Sequence, residues 1–302
     1  MRPSRQYTVM IVLLLVLAPA AFAPEARPNI TGLCFVRFQV SSLGEAGKFY
    51  ADELGLLRTH DCWGEGSEDC FFLTPYQDVE IVKPDTAKPT SFLDEIGIWT
   101  SDSGSLRGYL LARGLKVGEI VSRPDGLQYF DITDPEQHRL RFLSKKGAPH
   151  ILSPPQTQVS SHMIHTGFIV RDRAATEHFY KDILGFHPYW HGGMKEGQDD
   201  WVSLQVPDGR DWIEFMVNVS ADADQRLRGI MNHIALGVGD IHAAREKLVK
   251  NGWKPSEEPK IGRDGKWQLN LYDPDLTRVE FMEFSPVQKP CCSEFTGPHP
   301  IQ

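Results

Sequence analysis

The sequence predicts an α+β protein of four βαβββ modules, joined in pairs as two cup-shaped half-barrels. Two observations carry that expectation: an internal repeat, and strand-like runs that follow the short helices. Phe49-Tyr50-Ala51-Asp52-Glu53-Leu54-Gly55-Leu56 recurs as Phe179-Tyr180-Lys181-Asp182-Ile183-Leu184-Gly185-Phe186. Asp134-Pro135-Glu136 recurs as Asp273-Pro274-Asp275, and Gly114-Leu115 as Gly252-Trp253. Three matches in one order mark a duplicated framework.

At the N-terminus Arg2 and Arg5 precede the apolar run Val9–Leu17 and the small-residue stretch Ala18-Pro19-Ala20-Ala21-Phe22-Ala23. This reads as an export signal over residues 1–23, with cleavage after Ala20 or Ala23. The run is too short to span a bilayer, which takes about 20 residues. A periplasmic or extracellular location follows, with no membrane attachment after cleavage. Export makes disulfides permissible. Cys62 and Cys70 flank a short loop and could pair; Cys291-Cys292 could form a vicinal bridge or reach Cys34.

The 302 residues carry a formal charge of −8 and are 41% hydrophobic, the balance of a globular protein. An acidic chain without a basic stripe repels phosphate backbones, which excludes nucleic acid as a partner. The length suffices for two domains, each expected to have its own core. They are placed at residues 27–150 and 159–286, with a Pro-interrupted linker at 151–158 and a Cys-containing tail at 287–302.

Within the modules, Ser42-Leu43-Gly44-Glu45 is a capping box for the first helix. The second helix is short, Leu106 to Ala112. In the third module Met163–Val170 is a strand and Asp172 caps a helix over Arg173–Leu184, which Gly185 stops. Strands follow at Phe186–His191, Trp201–Val206 and Trp212–Val217. The fourth module has a strand at Met231–Val238, a cap at Asp240, a helix over Ile241–Lys250 and a stop at Gly252.

Four residues inside these strands share one chemistry: His165, Glu214, His233 and Glu280. Imidazole and carboxylate together suit a borderline divalent ion such as Fe, Ni, Zn, Mn or Co. Taken singly, a strand His is usually a hydrogen-bonded structural residue and a strand Glu usually faces water. The order His-strand, Glu-strand occurring twice around a repeat favours a shared ion. Strand alternation puts His165 and Gly167 on one face and Ile164 and Phe168 on the other. The first face is expected to be the concave one. Trp201, Ser203, Gln205 and Trp212 point the same way, with Gln268 and Asn270 opposite; they either clamp a planar or polar substrate or simply fill the cup. His187 and His191 read as supports of the site or as surface residues. Arg263-Asp264-Gly265-Lys266 reads as a lid or a solvated turn.

The runs Phe179-Tyr180-x-x-x-Leu184-Gly185-Phe186 and Asp273-Pro274-Asp275-x-x-Arg278-Val279-Glu280 give the chain its resemblance to a known family. From about Asn29 to Ser285 it resembles the vicinal oxygen chelate superfamily, which includes glyoxalase I, bleomycin-resistance proteins and extradiol dioxygenases. The resemblance implies a divalent metal in the cup at His165, Glu214, His233 and Glu280. The matching positions of the first half are Phe35, Glu80, Glu95 and Arg141, which implies no metal there and a companion domain that narrows the cavity or supports a homodimer. With four protein ligands the expected activity is that of a glyoxalase-like lyase or isomerase acting on a small molecule with adjacent oxygens, Glu214 or Glu280 serving as base. A triad of His165, His233 and Glu280 alone would instead suit an Fe(II) ring-cleaving dioxygenase, although Asn270 stands where that pattern has Tyr. Non-catalytic sequestration of a small molecule is the third reading.

Overall fold

The computed structural model describes residues 26–84, 92–147 and 152–301; the expected export signal lies outside them. The strands of the first half are β1 (Ile30–Gln39), β2 (Leu57–Thr59), β3 (Asp69–Thr74), β4 (Gln77–Val82), β5 (Leu93–Thr100), β6 (Val121–Ser122), β7 (Leu127–Thr133) and β8 (Arg139–Lys145). Those of the second are β9 (Met163–Ile169), β10 (His187–Gly192), β11 (Trp201–Gln205), β12 (Trp212–Met216), β13 (His233–Val238), β14 (Lys260–Ile261), β15 (Trp267–Tyr272) and β16 (Arg278–Glu283). They form two eight-stranded sheets of one topology, β2-β3-β4-β1-β5-β8-β7-β6 and β10-β11-β12-β9-β13-β16-β15-β14. The α+β class and the module pairing expected from the repeat are both present. Among the described residues no helix is long and apolar enough to cross a membrane.

Each module pairs its first strand with its last in parallel, β1 with β4, β5 with β8, β9 with β12 and β13 with β16. Parallel neighbours need a crossover, which the module's helix begins. Modules join where β1 meets β5, and β9 meets β13, antiparallel. Those two seams place the first strands of paired modules at the centre of each sheet.

The helices of the first, third and fourth modules start where expected, while the second, expected over Leu106 to Ala112, runs Ser103–Leu111. Ser42, Asp102, Asp172 and Asp240 each accept a backbone N–H of the first turn. Gly185 and Gly252 take the left-handed conformation that ends the turn, at φ 80° and 114°. Three further expectations need correction. The helix expected over Arg173–Leu184 is α-helical only to Glu177 and then widens to a π turn, with Leu184 N bonded to Phe179 O at 3.0 Å. The first module does the same, Leu54 N to Phe49 O at 3.0 Å. The wider turn lets two consecutive aromatic residues both face the core, Phe179 and Tyr180 meeting edge to face at 5.0 Å. The strand expected from Met231 begins at His233, because Gln225–Met231 is a helix capped by Asp224. Asn232 then turns the chain, its side-chain Oδ1 accepting from Ile169 N at 3.2 Å.

The third correction concerns Ile164. His165 pairs with Ala235 and Met163 with Leu236, so Ile164 is an extra residue on β9, a β-bulge. It packs on the cup side with Trp212 and Ala235 rather than opposite His165. The first half has the same bulge at Cys34, between Leu33 and Phe35.

On their helix-covered faces the two halves do not keep separate cores, although each cup has an apolar cluster of its own. One apolar cluster runs through the helix-covered faces of both sheets, taking in Tyr50, Phe71, Phe142, Tyr180, Phe215 and Leu248. The repeated motifs explain the sharing, because they bond to each other across the halves. Tyr50 Oη donates to Asp273 Oδ2 at 3.3 Å, and Tyr180 Oη donates to Asp134 Oδ2 at 3.1 Å. Glu136 Oε1 likewise accepts from Arg171 N at 2.7 Å, and Asp275 Oδ2 from Ser41 N at 2.8 Å.

Removing either buried phenol should therefore weaken the whole chain, by about 1–3 kcal/mol each. Tyr50→Phe should cost more than Tyr180→Phe, because Asp134 Oδ2 keeps His138 Nδ1 at 2.9 Å. Urea unfolding of the single and double variants checks this; independent sites should add within about 0.5 kcal/mol.

Candidate metal centre

The bulge and the strand registers bring His165, Glu214, His233 and Glu280 to one spot on the concave face of the second sheet. Glu214 lies opposite Gly167 across β9 and β12, His233 opposite Gly167 across the seam, and Glu280 opposite Ala235. His165 Nε2 and His233 Nε2 are 3.1 Å apart. Glu280 Oε2 is 3.9 Å from both nitrogens, and Glu214 Oε2 is 3.6 Å from His233 Nε2. His165, Glu214 and His233 each offer a donor atom within 4.8 Å of the others. Two nitrogens bound at about 2.1 Å to one ion, at a right angle, lie about 3.0 Å apart, and no pair of its donors exceeds about 4.2 Å. The measured separations fit one ion touching both imidazoles and either carboxylate.

His233 is oriented for that task. Its Nδ1 donates to Met231 O at 3.2 Å, which leaves the Nε2 lone pair facing the cup. His165 stacks on Trp212, ring centroids 4.7 Å apart, and its Nδ1 is buried without a hydrogen-bond partner. Burial, followed by the positive field of Arg278, holds both imidazoles well below their usual range, so both are neutral at pH 7. Burial and then the neighbouring Glu280 push the Glu214 carboxyl up to about 8. Burial also raises Glu280. Neutral imidazoles beside acids that resist ionising form a pocket that a cation would relieve of strain on both counts.

Gly167 is what permits the arrangement. A Cβ there would collide with the His233 ring. The first sheet shows the alternative filling of the same scaffold. Its registers align Phe35 with His165, Glu80 with Glu214, Glu95 with His233 and Arg141 with Glu280. The place of Gly167 belongs to Arg37, whose guanidinium pairs with Glu95, with Asp94 at 2.7 Å and with Glu80 at 3.7 Å. Arg141 adds Asp131 at 2.7 Å and Glu95 at 3.4 Å. A side-chain cation thus neutralises the acids of the first cup.

The residues expected to meet substrate all line a cavity of about 740 Å³ above the cluster: Trp201, Ser203, Trp212, Gln268 and Asn270. Ser203 Oγ donates to Glu214 Oε1 at 3.2 Å, Gln268 to Asp264 at 3.1 Å and Asn270 to Glu257 at 3.2 Å. Gln205 is instead spent on backbone, donating to Arg210 O and Pro298 O at 2.8 Å each. His191 sits outside the site, half-exposed and bonded to Asp199 at 2.7 Å. The turn Arg263–Lys266 is not a solvated lid, for Asp264 and Lys266 are buried.

Three features escaped the sequence. Arg278 shares the face of Glu280 and donates from Nη2 to His233 Nε2 at 2.8 Å. Lys266 is fully buried, its Nζ 4.6 Å from the Trp212 ring centroid and 5.2 Å from that of Phe295, and burial lowers it to about 8. The tail is a wall of the cavity rather than an appendage. Its Thr296 N bonds to Tyr189 O at 3.0 Å, Trp190 Nε1 donates to Cys291 O at 3.2 Å, and His299 Nδ1 meets Tyr189 Oη at 2.7 Å. Alternating apolar and polar residues could have marked Arg278 from its spacing to Glu280; nothing in the tail's composition announces where it docks. Cys62 is bridged to Cys70 and Cys291 to Cys292, while Cys34 is a buried free thiol, so the alternative link to it does not form.

Residues 162–281 match the family model of the Glyoxalase/Bleomycin resistance protein/Dioxygenase superfamily. The match is confined to the second pair of modules, the pair that holds the candidate donors. That superfamily is the vicinal oxygen chelate group that the sequence resembles. Comparison with curated proteins found no match. Among solved structures the chain is similar to the Mn(II)-bound glyoxalase from Novosphingobium aromaticivorans, at 18% identity and TM-score 0.63 over 85% of this chain and 83% of that one. It is also similar to homoprotocatechuate 2,3-dioxygenase from Brevibacterium fuscum in complex with 3,4-dihydroxyphenylacetate, at 16% identity and TM-score 0.62 over 90% and 84%. The 2,3-dioxygenase LapB from Pseudomonas sp. KL28 aligns at 16% identity and TM-score 0.63 over 88% and 98%. At such identities these structures share the fold with both halves of this chain.

Two outcomes follow from the site's geometry. Gly167→Ala should displace the His233 ring at a cost of about 1–3 kcal/mol and weaken uptake of Mn(II) or Zn(II) at least tenfold, read by titration against a chelating dye. Because Glu214 is protonated below about pH 8, ion uptake at pH 7 should expel a proton, and the release should fade above that pH. Calorimetry in two buffers of different ionisation enthalpy measures it, and Glu214→Gln should reduce the count.

Proposed function

We propose that the protein is an exported, divalent-metal-dependent enzyme of glyoxalase type, a lyase or isomerase acting on a small molecule with adjacent oxygens. The observation that carries this reading is the grouping of two neutral imidazoles with the Glu214 carboxylate within 4.8 Å of one another, and Glu280 Oε2 3.9 Å from both ring nitrogens, in a walled cavity. His165, His233 and Glu280 hold the ion, with Glu214 as the fourth, less firmly committed donor. The bound ion supplies Lewis-acid polarisation of the substrate's oxygens. Glu214, beside the cavity and held by Ser203, takes the proton from the substrate carbon. Trp201 and Trp212 give the substrate flat apolar walls, and the docked tail excludes water. The first cup holds no ion and serves as the packed companion of the second.

A ring-cleaving dioxygenase is the second reading, favoured by the four-module layout with donors in one half only. In it Glu214 leaves the ligand set, and the proton-handling Tyr of that pattern is replaced by Asn270, which is occupied with Glu257.

The purified protein should bind one divalent ion per chain, measured by elemental analysis after metal loading and dialysis. Glu214→Gln should keep that ion and lower Ni(II)- or Zn(II)-dependent isomerisation of hydroxy-ketones by about 10²-fold or more. Oxygen uptake with catechols under Fe(II), retained in Glu214→Gln, would instead establish the dioxygenase.

A further inference from the structure

Arg278 lines the cup with its hydrogen bonding incomplete. Its Nε is buried without a hydrogen-bond partner, and among the described residues it makes no ion pair within 4.0 Å, although Glu214 and Glu280 share its floor. A guanidinium offers five N–H donors in a planar fork that matches a carboxylate. Leaving such donors unpaired beside low-dielectric walls costs free energy, which an anionic ligand would recover. The one bond Arg278 does make, to His233 Nε2, uses the only lone pair that ring has left. Arg278 must release that nitrogen when it is given to a cation. Its donors then have no protein acceptor and face the cavity next to the point where substrate oxygens would sit.

Charge supports the same conclusion. The chain as a whole is acidic at −8, yet the cavity is not. Its lining carries three carboxylates, Glu214, Asp264 and Glu280, against Arg278 and Arg263, while the rim lysines Lys260 and Lys289 are paired with Glu257 and Glu294. Lys266 lies buried behind Trp212, one more cation held close by. Adding a divalent ion leaves a positive surplus in a small aromatic-walled space, which attracts an anion.

We infer that the substrate's oxygen-bearing end is itself a carboxylate, as in a 2-hydroxy- or 2-oxo-carboxylate with a planar apolar body, and that Arg278 is the specificity residue that binds it after yielding His233. This deepens the proposed function and rests on its metal site.

The test uses full-length protein, with mandelate and its neutral isostere mandelamide as probes. Without probe, Arg278→Met should tighten Mn(II) or Zn(II) binding about tenfold or more, since a competing cation is gone. Metal-loaded wild type should bind mandelate at least about tenfold more tightly than mandelamide. Arg278→Met should abolish that preference, and Arg278→Lys, which keeps the charge, should restore part of it; circular dichroism and the melting temperature verify the fold of each. Metal uptake with no preference for mandelate, or a variant whose metal affinity is unchanged or weaker, overturns the assignment of Arg278 alone. A folded wild type that takes up no divalent ion overturns the metal site, and this inference with it.

Discussion

The second cup depends on one close approach, the ring of His233 lying over a strand position that has no side chain. Gly167 faces His233 across the seam and Glu214 across the parallel pair, so it occupies the centre of the donor set. Any Cβ at that point would push the imidazole away from His165. The first half keeps the strands, the registers and even the bulge, but puts Arg37 there. The acids of that cup are satisfied by a covalently attached cation, and Phe35 fills the position of the first imidazole. One scaffold thus solves the burial of acidic groups in two ways, by an internal guanidinium or by a space suited to an exchangeable ion.

Much of this was legible from the chain, and the reason is the repeat. The Phe-Tyr run and the Asp-Pro turn could be matched between halves because each is used twice in one role, Tyr50 to Asp273 and Tyr180 to Asp134. The four candidate donors stood out because their strand types and order recurred on that frame. Period-2 alternation placed them on one face, and it failed only at Ile164, where a bulge adds a residue that no local signal marks. The helix of the third module widened at its aromatic pair for a tertiary reason: both rings are needed inside. A shared core between the halves was equally out of reach, since apolar faces look the same whichever partner covers them.

What stayed hidden in the site were the cations. Lys266 belongs to a run, Arg263-Asp264-Gly265-Lys266, whose composition is that of an exposed turn. Its burial comes from Tyr189, Trp212 and Phe295, three rings drawn from two strands and the tail. Where the tail docks is set by backbone acceptors on β10 and by two ring–imidazole contacts at His299, none of which has a sequence periodicity. The tail closes one side of the cavity and so governs how dry the cluster is.

Dryness decides the chemistry that the donors can support. In an open cup, water would screen Glu214 from Glu280 and both carboxyls would ionise in the ordinary range. Enclosed by Trp212, Trp201 and the tail, the two acids are raised and the imidazoles lowered, each by loss of solvent first; neighbours add to the shift at Glu214 and at both imidazoles, while Arg278 opposes it at Glu280. The unloaded cup therefore tends to neutrality, holding protons on acids and none on the histidines. A divalent ion would reverse that preference: it would stabilise both carboxylates and use the imidazole lone pairs, beside the cations Arg278 and Lys266.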